Sequence, residues 1–243
     1  MLTLAKLISE VIKIMRKSNL LALSIILISF AIGIYSYPQM PEKVASHWNI
    51  NGEVNSYMEK WGIFLMPIIS IFLFLLFLAI PIIEPKKANL KKFRKYYDNF
   101  VIMIFLFLLY LHLLVIFWNI GGRFNMVQLL SIAFALLFYY CGILLENAKQ
   151  NWFVGIRTPW TMMNEAVWNK THKRGGKLFK ISGVLALVAI VLPQYAIFFI
   201  LVPVILSSIY VFTYSYFEYK KPQIRLKESN NYTIITGALH KNR

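Results

Sequence analysis

The chain has 243 residues, is 58% hydrophobic, and carries only 15% charged residues for a net charge of +16. Soluble domains carry roughly 25% charged residues, so a chain with a mean hydropathy of +0.59 has no polar coat for a soluble enzyme. Its 19 Phe and 14 Tyr residues also exclude a disordered chain, which would be poor in such side chains.

In chain order, residues 1–18 come first, with Leu4, Leu7, Ile8, Val11, Ile12 and Met15 at helical spacing and Lys6, Glu10, Lys13 and Lys17 elsewhere on the wheel. That pattern predicts an amphipathic helix lying on the inner leaflet. A bilayer core of about 30 Å takes about 20 apolar residues as helix, and the runs 19–37, 61–83, 99–118 and 126–145 meet that need. The first run is longer than the apolar region of a secretory signal and has no cleavage pair behind it, so it reads as an uncleaved anchor. The stretch 178–217 is long enough for two spans if Pro193-Gln194-Tyr195 turns it, because proline removes a backbone donor and disfavours helix before it. The expected fold is therefore an all-α integral membrane protein of six transmembrane helices, with both termini cytoplasmic. Orientation follows from charge: 23 of the 26 Lys and Arg residues precede the first span or fall in 84–98, 146–180 and the tail after 217. Only Lys43, Lys60 and Arg123 lie on the other side, and basic loops stay in the cytoplasm. Basic residues that flank membrane spans meet anionic lipid headgroups rather than nucleic acid.

The outer loop 38–60 contains Asn51-Gly52, whose residues tolerate the positive φ of a type I′ turn. Runs 45–50 and 53–57 on either side can extend and pair, which predicts a small extracytoplasmic β-hairpin displaying His47, Trp48 and Asn49. The inner basic loop 84–98 reads as a topology determinant. The inner segment 146–180 is richer. Thr158 before Pro159 is a helix start, and Gly175-Gly176 can end that helix. Between them Trp160, Met163 and Val167 share one face, and Glu165, Trp168 and His172 another. Arg157 is the one cation between Phe153 and Asn169, so a packed Arg157–Glu165–Trp168–His172 cluster is expected beneath the bundle, where a guanidinium can stack on a ring or grip a carboxylate.

No catalytic motif is present: there is no HExxH, no GxSxG, no Walker loop and no Cys–His pairing. Glu165 and His172 have no evident third ligand, so neither a metal nor another cofactor is expected. The lone Cys141 sits in an apolar run as a packing residue. The expected spans hold no interior Asp or Glu, and His112 is the one ionisable group well inside them, which is too little for a proton pathway.

Two stretches carry a resemblance. The run from Asn151 through Gly155, Arg157, Thr158, Pro159, Trp160 and Thr161, followed by Glu165, Trp168, Thr171, His172, Gly175 and Gly176, resembles the signature of the SdpI family of multi-pass membrane proteins. Pro41-Glu42-Lys43-Val44 with His47-Trp48-Asn49 and Asn51-Gly52 resembles the extracytoplasmic-loop domain of unknown function that precedes that signature in longer family members. With the intervening spans the likeness covers about residues 19–217. It divides the chain into the interfacial helix 1–18, three spans with the outer loop in 19–118, a signature-bearing membrane domain in 119–217 and a cytoplasmic tail 218–243.

The resemblance implies immunity at the cell membrane against a secreted, membrane-active killing peptide. It also implies signalling, in which a small winged-helix repressor is held at the membrane. His47, Trp48, Asn49 and Gly52 are then the candidate outer contact, and the inner signature or the tail the candidate contact for the repressor. The alternatives are a structural or lipid-interacting membrane protein without a toxin partner, and a small-molecule permease using His112.

Overall fold

The computed structural model describes residues 16–241, with side chains through residue 221. Most of the interfacial helix expected over residues 1–18 lies outside the described residues. Helix α1 (Lys17–Ser36) runs into a 3-10 turn and then into the hairpin β1 (Lys43–Trp48) and β2 (Val54–Glu59). Helix α2 (Leu65–Ile83) follows, then the short α3 (Lys87–Lys92), α4 (Arg94–Asn119) and α5 (Met126–Asn147). The signature forms α6 (Pro159–Met163) and α7 (Glu165–Ala186). A short α8 (Val188–Val191) and a 3-10 turn at Pro193–Tyr195 lead into α9 (Ala196–Lys241).

Five helical stretches are long and apolar enough to cross a membrane: Lys17–Gln39, Lys60–Ile83, Arg94–Asn119, Met126–Asn147 and Pro193–Lys221. The expected fifth of six spans, 178–193, is instead the apolar end of α7 together with α8. It shares its helix with the polar signature, which keeps it short of the length and apolarity of the others. It nevertheless runs antiparallel along α5: Lys180 bonds Glu146 at 2.8 Å near one end, and Gln128 Nε2 donates to the Ile190 carbonyl at 2.9 Å near the other.

Glycines set that approach. A Cβ on Gly142 would stand 2.5 Å from the Gly176 carbonyl oxygen, and one on Gly183 would stand 2.7 Å from that of Ala135. Gly175-Gly176 therefore does not end a helix, as its sequence suggests, but lies inside α7 and lets two backbones meet, the use that small residues have between membrane helices. Ala135, Ala186, Ala189 and Ala196 continue this thin seam toward α9. The larger core is aromatic and aliphatic, with Phe93, Tyr97 and Phe105 of the α3–α4 region packed on Ile25, Ile80 and Leu144.

The hairpin forms, but with a different turn. Asn51 keeps a negative φ and only Gly52 is left-handed, at φ 80°. The Asn49 amide donates to the Glu53 carbonyl at 2.8 Å, and the Gly52 amide donates to the Asn49 carbonyl at 3.0 Å. This is a three-residue loop with glycine in the left-handed position, not a two-residue type I′ turn pairing Ile50 with Glu53. The Asn49 side chain decides it, since its Oδ1 accepts from the amides of Asn51 (2.9 Å) and Glu53 (3.0 Å) and closes the wider loop.

Candidate functional site

The inner signature is assembled around two fully buried rings. Trp168 and His172, one helical turn apart on α7, stack with centroids 3.8 Å apart. His172 Nδ1 lies 2.9 Å from the Trp168 carbonyl, which can only accept, so that nitrogen carries the proton. Nε2 is then free to accept, and it takes the Ile156 amide at 2.9 Å. Burial pushes the imidazole down to about 4, opposed by its bond to the Trp168 carbonyl. The ring is neutral at physiological pH and serves as a fixed acceptor. Trp168 Nε1 donates to the Ala148 carbonyl at 2.9 Å.

The loop before α6 covers this pair. Gly155 has φ 116°, and a Cβ there would collide with His172 Nε2, so only glycine lets the chain pass over the ring. Asn151, also fully buried, organises the bend: its Oδ1 accepts from the amides of Phe153 (2.9 Å) and Val154 (2.6 Å). The expected single helix from Thr158 to Gly175 is two helices. Thr158 caps α6 by accepting from the Thr161 amide at 3.2 Å, while Thr161 Oγ1 accepts from the Thr158 amide at 2.9 Å. Asn164 then breaks the chain and caps α7 through the Val167 amide at 3.1 Å.

That break is why the four-residue cluster forms only in half. Arg157 is exposed and donates to the Trp152 carbonyl. Glu165 is also exposed, in the first turn of α7, where a carboxylate suits the helix dipole. Among the described residues the two form no ion pair. Pro159 opens α6. Trp160 packs on α9, meeting Phe212 and Tyr216 edge-on at 5.4 and 5.0 Å, and Thr158 Oγ1 lies 3.0 Å from Ser215 Oγ. Gly175 faces Ile156 and Val211, and Thr171 is fully buried, its hydroxyl without a hydrogen-bond partner among the described residues.

The most connected residues of the site are ones the sequence did not single out. Pro85 forces Glu84 out of helical backbone and ends α2. The fully buried Glu84 carboxylate then accepts from the amides of Lys86 (2.8 Å) and Trp152 (3.0 Å). Lys86 Nζ reaches Gln150 Oε1, and Asn89 Nδ2 donates to the Gln150 carbonyl at 2.9 Å. Gln150 Nε2 continues to the carbonyls of Thr161 (2.7 Å) and Met162 (2.9 Å). The loop read as a topology determinant is thus bolted to the signature. An acid standing before proline at the end of an apolar run was the available signal.

On the opposite end, His47 is exposed with Nδ1 2.6 Å from Asn55 Oδ1, and Trp48 is half-buried, edge-on to Trp118 at 5.6 Å. Asn49 is spent on the turn, and Gly52 packs on Asn125, which caps α5. Asn119, at the end of α4, holds the strand: its Oδ1 accepts from the Ala45 amide at 2.7 Å and its Nδ2 donates to the Ala45 carbonyl at 3.2 Å. His112 is fully buried, with Nδ1 2.7 Å from Ser29 Oγ. No group of three or more His, Cys, Asp or Glu side chains gathers among the described residues.

A bundle of apolar helices with one polar hairpin end and one basic, hydrogen-bonded end defines a multi-pass plasma-membrane protein. Residues 24–71 match a domain of unknown function, DUF1648, which spans most of α1, the hairpin and the start of α2, and residues 147–215 match the SdpI/YfhL protein family. The chain is 26% identical over 206 residues to the "Immunity protein SdpI" of Bacillus subtilis (strain 168), covering 84% of this chain and 97% of that protein. It carries an SdpI/YfhL family segment with a DUF1648 domain ahead of it. No solved structure gives a significant match.

Proposed function

We propose that the chain is a non-enzymatic membrane immunity protein that gives its cell resistance to a secreted, membrane-active peptide. The observation that carries this is the collinear likeness to an immunity protein over nearly that protein's whole length. It takes in both the hairpin and the buried signature. In this reading the basic end is cytoplasmic and the apolar end of α7 with α8 makes the sixth crossing. The crossing is supported by its run along α5 from Glu146 to Gln128. The peptide meets the hairpin, where His47 is the freely displayed side chain of the four outer candidates. The hairpin is fastened to α4 by Asn119 and rests on the cap of α5, and those two helices lead to the inner site. A displacement outside therefore has a rigid route inward, provided the peptide binds two arrangements of the bundle unequally. A winged-helix repressor held at the inner face is the signalling extension of the same reading.

The test is survival. Sensitive cells expressing the chain should withstand a sibling-killing peptide that kills cells carrying the empty vector. Death at the same peptide concentration, with the protein abundant in the membrane, overturns the proposal.

A further inference from the structure

Lys170, Lys173, Arg174, Lys177, Leu178 and Ile181 stand at i, i+3, i+4, i+7, i+8 and i+11, so they form a single stripe along α7. The stripe is sunken, because Gly142, Gly176 and Gly183 let α7 settle against the backbone of α5. Two adjoining hollows result. One, of about 510 Å³, lies between α7 and α9 and includes Tyr210 and Tyr214 in its wall. The other, of about 460 Å³, lies on the α5 side with Tyr139, Val184 and Leu185. They share Lys177 and Ile181, so the two make one trough astride α7.

Charge along the trough is uneven. Lys170 is engaged by Glu218 at 2.5 Å and Lys180 by Glu146 at 2.8 Å. Among the described residues Lys173, Arg174 and Lys177 form no ion pair. Arg174 is held in place nonetheless: it donates to Tyr210 Oη at 2.5 Å, and its guanidinium lies 4.6 Å from the Tyr214 ring centroid. A guanidinium pinned by two phenols is pre-organised to meet an oxyanion and keeps further donors for it. Beyond Lys177 the lining is apolar apart from Lys180, which is paired with Glu146, and Ile181 and Val184 are more than half exposed in it. From Lys177 to Val184 is about 10 Å of helix. Cations flanked by tyrosines, giving way over that distance to exposed aliphatic side chains, match a phosphate with its glycerol backbone and then acyl chains.

We propose that this trough binds one anionic diacyl phospholipid, its phosphate held by Lys173, Arg174 and Lys177 and its chains lying over Ile181 and Val184 on either side of α7. A soluble phosphate compound would make no use of the adjoining aliphatic half, and a zwitterionic lipid would leave the three cations without net compensation. The bound lipid would cover the face of α7 that lies open between α5 and α9.

The experiment uses the full chain in a mild non-ionic detergent, titrated with phosphatidylglycerol or with phosphatidylcholine of the same acyl chains and read by native mass spectrometry. Phosphatidylglycerol should bind at least about tenfold more tightly. Lys173→Gln/Arg174→Gln/Lys177→Gln should abolish that preference, whereas Lys87→Gln/Lys91→Gln/Lys92→Gln, which removes equal charge from the inner loop, should retain it. Lys173→Gln/Lys177→Gln leaves the Arg174–Tyr210 bond intact and should lower the preference even if the triple variant does not fold. Equal affinity for the two lipids, or equal loss in both triple variants, overturns the proposal. So does displacement of the lipid from the wild-type protein by millimolar inorganic phosphate, which would make the trough a site for soluble anions.

Discussion

His172 shows how one buried ring can hold a loop in place. Its Nε2 must stay unprotonated to accept the Ile156 amide, and burial secures this by lowering its affinity for a proton to a pKa of about 4. An unfolded histidine titrates near 6.5, so the unfolded chain binds more protons in the interval between those values. The stability that His172 contributes is therefore complete above about pH 6.5 and is lost as pH falls toward 4, with a total on the order of 3 kcal/mol. Melting in detergent at pH 7 and pH 5 should show a drop for the wild type that is smaller for His172→Gln; equal drops would show that the ring does not control the loop. The cover of the ring makes a second expectation at this scale. Gly155→Ala should cost about 1–3 kcal/mol through its positive φ alone, with the His172 collision added, and should lower the melting temperature clearly. Arg157→Lys, at an exposed position bonded to one carbonyl, should leave it within a degree or two of wild type.

At the scale of elements, the tightest seam is the one between α5 and α7. Glycine is required there because backbone, not a yielding side chain, occupies the place of the missing Cβ: the Ala135 carbonyl oxygen and the Tyr139 amide lie 2.7 and 2.8 Å from that of Gly183. Gly183→Val must push the two helices apart, and overpacking of this kind costs about 1–3 kcal/mol or more. Membrane abundance of Gly183→Val should fall sharply, while Val184→Ile, on the exposed side of the same helix, should leave it unchanged. Comparable abundance of the two would mean that the seam is looser than it stands here.

Over the whole molecule, residues 43–89 are joined to the later helices at both ends of the bundle. At one end Asn119 ties the hairpin and Asn125 packs beneath it; at the other Glu84, Lys86 and Asn89 bind residues 150–152. The proposed orientation places these two joints on opposite faces of the membrane. In a Cys141→Ala background, an impermeant thiol reagent added to sealed cells should label Asn51→Cys and spare Lys87→Cys until the cells are opened. Labelling of both from outside would reverse or remove the assigned topology.

The apolar runs, the hairpin and the basic end were legible in the sequence because each depends on local facts: 20 apolar residues in a row, a glycine that accepts positive φ, and charges that stay in water. The rings at Trp168 and His172 were legible as neighbours because helical spacing alone stacks them. The partners of Arg157 and Glu165 were not, since the chain breaks at Asn164 and helical geometry does not carry across a break. Gly175-Gly176 fell to the same limit. As a local signal a glycine pair ends a helix, and only the presence of Gly142 on a neighbouring helix turns it into a point of contact. Glu84, Gln150 and Asn119 take their roles from backbone groups between 11 and 74 positions away in the chain. The sequence determined which segments are apolar and where they turn. Tertiary structure alone decided which buried donors and acceptors meet, because that pairing depends on distances between segments that the order of residues does not encode locally.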